Sequence, residues 1–223
     1  MTTPVVLVPG APVLVPELAG AAAVDVGEGV SAATELLVSA ARDATTVTVL
    51  GVDPAGRTVG DARASLVRWG ARVVVGRCGA PVAADGDVPD AALIAWWFLD
   101  RAGIDLPRRF VPVDGNPPAA DAGALLVVVA DGPASLTPRA PVPEDPRGVA
   151  LDADLASWLR DGGALPDPGP GVAGEIGWWS WPAWRALAGV VGNAPAAGAV
   201  SFAPFGVGYH AARWPGSSSG GAP

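Results

Sequence analysis

Ala124-Leu125-Leu126-Val127-Val128-Val129-Ala130-Asp131-Gly132 opens as an unbroken apolar run and closes on an acid and a glycine. A strand with one wet face alternates apolar and polar residues. A run without alternation reads as a strand buried on both faces, the usual state of a parallel sheet covered by helices. Working outward, Val5 to Val8, Val47 to Leu50, Arg72 to Val75 and Phe110 to Val113 are also short, valine-rich and bounded by turn residues.

Helical patterns fall between these runs. Ser31 is placed to cap a segment in which Ala33, Leu36, Leu37 and Ala40 share a face. Asp61 is placed to cap a segment running to Gly70, with Leu66 and Trp69 on one side. Pro89 suits a first helical turn, followed by a stripe of Leu93, Trp96 and Trp97 that ends before Gly103. Leu151, Leu155, Trp158 and Leu159 form another stripe, stopped by Gly162 and Gly163, and Ala183 to Val191 reads as a last helix. Asp131 to Pro146 and Gly162 to Gly174 read as loops, and Ala199 to Ala203 with Val207 to Arg213 as closing strands, a candidate hairpin. The alternation predicts one α/β domain over residues 1–214, with a mostly parallel central sheet and helices on both faces. Residues 215–223, rich in Gly and Ser, read as a disordered tail.

Composition narrows the chemistry. The 223 residues carry a net charge of −8, and all 14 basic residues are arginine. An acidic chain without a basic cluster does not suit a nucleic-acid backbone or an anionic membrane surface. The absence of lysine excludes a Walker A loop and Schiff-base chemistry. Ala91 to Leu99 is the longest apolar run, too short to span a bilayer, and no basic segment precedes the first apolar run, so a cytoplasmic location is expected.

Individual residues then offer sites. His210 is the sole histidine and lies in the final strand pattern, where it reads as a strand histidine with a satisfied ring. Cys78, the sole cysteine, follows the Arg72–Val75 run and is thereby expected near the carboxyl edge of the sheet, where a dyad with His210 is conceivable. Gly27-x-Gly29-x-x-Ala32 and Gly206-x-Gly208-x-x-Ala211 match a dinucleotide fingerprint, but neither has the strand–turn–helix context the motif needs. Asp53, Asp114 and Asp131 each follow a strand, and Glu175 could join them in an oxygen-rich set suited to Mg²⁺; Asp is equally common in loops and helix starts. Of 9 tryptophans, Trp178, Trp179, Trp181 and Trp184 crowd one segment. They are either core or the wall of a ligand cleft or interface.

Three stretches have a familiar texture. Val8-Pro9-Gly10-Ala11-Pro12-Val13-Leu14-Val15-Pro16-Glu17-Leu18 resembles the opening of the subunit-B-like family of class III extradiol ring-cleaving dioxygenases, in its short bacterial members. Leu125 to Ser135 resembles that family's later strand and glycine/serine turn, and Pro204 to Tyr209 its last strand. The resemblance implies a non-haem Fe(II) site of two His and one Glu that opens a catechol ring with O₂. Here Gly10 stands where the first His is expected and Gly51-Val52-Asp53 where the second is. Glu175 matches the third ligand, and one carboxylate cannot make a facial triad. No cofactor is therefore expected, although the family implies Fe(II).

The resulting expectation is a relative without iron, its cleft made of Gly10, Pro12, Asp53, Asp131, Glu175 and Trp178. It would bind a small aromatic ligand or pair with a protein subunit, a second copy included. In a helix, Trp178 and Trp179 would share the side of Glu175. The alternative is an enzyme in the same cleft, either a dioxygenase with an atypical metal site or a carboxylate- or Mg²⁺-dependent activity.

Overall fold

A computed structural model describes residues 3–113 and 123–216. The expected tail falls largely on residues 217–223, outside the described residues, and so does Asp114.

The central sheet has six strands: β1 (Val5–Val8), β2 (Thr46–Gly51), β5 (Arg108–Pro112), β6 (Ala124–Val129), β7 (Gly198–Phe202) and β8 (Tyr209–Trp214). Their order is β5-β2-β6-β1-β8-β7. The first four are parallel neighbours, and β8 and β7 add antiparallel at the β1 side as a hairpin. The chain is thus an α/β protein with a mostly parallel sheet, as the valine runs predict.

Alternate residues of β1 and β6 explain the absence of polar positions. Val6, Val8, Leu125, Val127 and Val129 pack into one core cluster with α2 (Ala23–Ala40) and α3 (Asp90–Arg101). Val5, Leu7, Leu126 and Val128 pack into another with α4 (Pro146–Asp161), α5 (Gly169–Glu175) and α6 (Trp181–Val191). Every residue of β6 is buried, so a polar side chain on either face would lose its water without a partner.

Four local expectations fail. Ser31 caps nothing, because α2 begins at Ala23 and holds Ser31 in its interior. The alanines before it have the highest helix propensity, which extends the helix backward. Gly27 and Gly29 therefore lie inside a helix, not at a phosphate-binding turn. A Cβ on Gly29 would lie 2.6 Å from the ring of Phe202, so this glycine permits a close approach of α2 to β7.

Asp61 to Gly70 is not a helix. β3 (Ala64–Ser65) pairs antiparallel with β4 (Val74–Val75) in a separate two-stranded sheet, with one 3-10 turn at Val67–Trp69 between them. So short a helix is marginal on its own. Cross-chain bonds win instead: Arg63 N–H donates to the Pro81 carbonyl and Ala83 N–H to that of Arg63, while Arg77 pairs with Asp61. The Arg72–Val75 run thus stays out of the central sheet. Gly162 to Gly174, read as loop, folds at its end into α5.

The edges of the central sheet are finished differently. On β5, Phe110 exchanges both backbone hydrogen bonds with Val59. On β7, alternate residues are exposed.

Leu126→Ala should cost roughly 2–5 kcal/mol, because a buried leucine between two layers leaves a cavity. Val24→Ala, at a position 86% exposed on α2, should stay within about 0.5 kcal/mol. Urea titration of both variants checks that Leu126 sits in a packed core while Val24 does not.

Candidate functional site

Parallel strands β1, β2 and β6 all end on one side, and ligands of open α/β sheets bind beyond such carboxyl ends. A cavity of about 450 Å³ lies there. Gly10 to Pro12 after β1, Val52 after β2 and Asp131 after β6 line it, while Trp179 and Ser180 contribute from the turn before α6 and Tyr209 from the start of β8.

Asp131 is set by its main chain. Its carbonyl accepts from Trp178 Nε1 at 3.1 Å, Trp184 Nε1 at 2.8 Å and Ser180 Oγ at 2.6 Å. Its N–H donates to the same Ser180 Oγ at 2.9 Å. Ser180 is the residue before α6, and Trp184 lies one turn into it. The tryptophan-rich segment thus supplies both packing and donors that hold one residue at the end of β6.

The Asp131 side chain accepts from Gly10 N–H at 2.8 Å through Oδ1. Burial pushes the carboxyl up from 3.8 to about 6, against the pull of the Gly10 N–H, of His210 and of the Ala11 N–H. Beside it, burial and the nearby Asp131 hold the Tyr209 phenol above its usual range, so the hydroxyl stays protonated at neutral pH.

His210, next to Tyr209, is fully buried on the other face of the sheet. Its Nδ1 is 2.8 Å from Ser201 Oγ and its Nε2 is 2.9 Å from Asp152 Oδ1. Both ring nitrogens are engaged, linking β7, β8 and α4. A Cβ on Gly208 would collide with Asp152, so glycine here lets the carboxylate reach the ring.

The expected cleft divides. Gly10, Pro12 and Asp131 line the cavity; Asp53, Glu175 and Trp178 do not. Asp53 turns to Arg57, accepting from Nε at 2.9 Å and an Nη at 2.7 Å, and this ion pair holds its carboxyl below the ordinary value. Glu175 is exposed and paired with Arg147 at 2.8 Å. The helical geometry expected to align it with Trp178 ends at Glu175, and Gly177, at φ 69°, turns the chain. Trp178 is buried, whereas Trp179 is 64% exposed at the cavity. Cys78 is exposed, with its N–H on Asp105, and forms no dyad with His210.

The residues present do not fit the Fe(II) that the resemblance implies. Gly10 offers no ligand, and a Cβ there would lie 2.7 Å from Val129 Cγ1. Asp53 and Glu175 are committed to arginines, and among the described residues no group of three His, Cys, Asp or Glu side chains is placed to hold a metal ion. Nor is any described helix long and apolar enough to cross a membrane. Tyr209 and Ser180 were not legible as site residues; the only signals were their places in the closing strand and beside the tryptophans. No family model matches the chain, and no curated protein matches it significantly.

Two measurements test this geometry. Gly10→Ala should destabilise by about 1–3 kcal/mol in urea titration, since Val129 must move to admit the methyl. For Asp131, the folded value lies above the unfolded one. Its favourable contribution is complete below about pH 4 and is lost as pH rises through about 6. Asp131→Asn should therefore gain on the order of 1–3 kcal/mol over the parent chain near pH 8, with the gain vanishing near pH 4.

Proposed function

We propose that this chain is a small-molecule-binding protein, a relative of the extradiol dioxygenases whose cleft has given up iron chemistry. The resemblance of Val8 to Leu18 and of Leu125 to Ser135 supports the kinship, and the loss of ligands at Gly10 and Val52 supports the loss of iron. The observation that carries the binding role is Asp131. Its main chain is pinned by three side-chain donors, and its carboxylate is kept at a cavity wall at a cost to stability. Perturbed ionisation of this kind concentrates at functional sites. A cavity of about 450 Å³ suits a molecule of one or two rings.

A second reading is an enzyme that uses Asp131 as a general base. A carboxyl displaced to about 6 has a basicity closer to neutral pH than an ordinary aspartate. Catalysis would require turnover, whereas the binding role requires only saturable occupancy.

Ligand-observed NMR with a panel of single-ring phenols, alcohols and amines is the test. Saturable binding that changes Trp179 fluorescence, and loses that change in Trp179→Phe, is expected. If no compound binds at millimolar concentration, the binding role is wrong. Consumption of a bound compound that stops in Asp131→Asn would favour the enzyme.

A further inference from the structure

The ligand's charge follows from what lines the cavity, granted the binding role above. Its hydrogen-bonding side chains are Asp90, Asp131, Ser180 and Tyr209, with the Trp179 indole beside them, and none of the described lining residues is basic. The two acids differ. Asp90 lies in the first turn of α3, offsetting that helix end, and already pairs with Arg68 at 2.7 Å. Asp131 has the Gly10 N–H on Oδ1, and no arginine is paired with it among the described residues. Its carboxylate lines the cavity with no cation hydrogen-bonded to it among the described residues; His210, which also draws this carboxyl down, has its Nε2 on Asp152.

A carboxylate gains more from an ammonium than from a neutral donor, because a charge-assisted hydrogen bond is roughly twice as strong as a neutral one. A ligand carboxylate would instead meet Asp131 as a like charge. Two aromatic residues, exposed Trp179 and buried Tyr209, also line the cavity, and rings of this kind attract cationic groups to their faces. The apolar remainder of the lining, from Ala11 and Val52 to Val207, suits a hydrocarbon body.

We propose that this pocket takes a small organic cation, a protonated amine on an apolar body of about one ring, with its ammonium on the Asp131 carboxylate. A catechol acid of the kind expected for ring-cleaving relatives would be rejected by the same group.

Three probes share one ring and differ in head group: benzylamine, benzyl alcohol and benzoate. Calorimetric titration at low ionic strength near pH 7.5 should give benzylamine at least ten-fold tighter than benzyl alcohol, with benzoate weakest. Asp131→Asn should bring amine and alcohol within about two-fold of each other, since a charge-assisted bond becomes a neutral one. Asp131→Ser serves if the asparagine variant does not fold. Alcohol or benzoate binding as tightly as the amine would overturn the cation assignment and leave the binding pocket standing. An amine preference that survives both Asp131 variants would also overturn it. Failure of all three probes would overturn the pocket reading itself.

Discussion

One backbone oxygen ties the end of β6 to the tryptophan-rich helical layer beside it. The Asp131 carbonyl accepts from two indoles and a hydroxyl, although a carbonyl has only two lone pairs. Those donors come from the segment that turns out of α5 and begins α6. That segment also buries Trp178 and Trp184 against the sheet face where Trp158 and Trp214 lie. Indoles bring large apolar area with a single polar handle, and a buried handle must find an acceptor. The end of β6 supplies it. Position of the helical layer and position of the Asp131 side chain are therefore set by the same contacts.

This coupling explains why a carboxylate can stay in a poor electrostatic setting. Left free, the side chain would rotate toward water. With its main chain held on both N–H and C=O by the Ser180 hydroxyl, and its Oδ1 on Gly10, the group is aimed at the cavity. The unfavourable ionisation is offset by tryptophan burial elsewhere in the same cluster. An apolar layer thus supports a charged site, and the two cannot be altered independently.

The runs at Val5, Val47 and Ala124 were legible as buried parallel strands because both faces of each strand are covered, and coverage leaves a direct mark on composition. The stripe around Trp96 was legible for the same reason. Asp61 to Gly70 was not, since its pairing depends on partners at Val73 to Ala83 that local propensity does not weigh. Asp131 was legible as a strand-end acid, but so was Asp53, and nothing in the sequence distinguishes a carboxylate claimed by Arg57 from one left facing a cavity. Glu175 departs from its helical alignment with Trp178 because the helix ends there and Gly177 takes a positive φ. Strand ends are thus readable from pattern, while the orientation of side chains beyond them depends on which turn follows.

The unequal edges of the sheet give association a direction. On β5 the central residue already exchanges both its backbone bonds with Val59, so an incoming chain finds no continuous row of donors and acceptors there. On β7 the outer side of the hairpin carries no further strand among the described residues. Free edges are templates for strand addition. Lateral growth of this sheet, whether as orderly pairing or as misassembly at high concentration, is thereby one-sided. A sheet that can extend from one border forms closed pairs, edge to edge, more readily than open filaments, which need two.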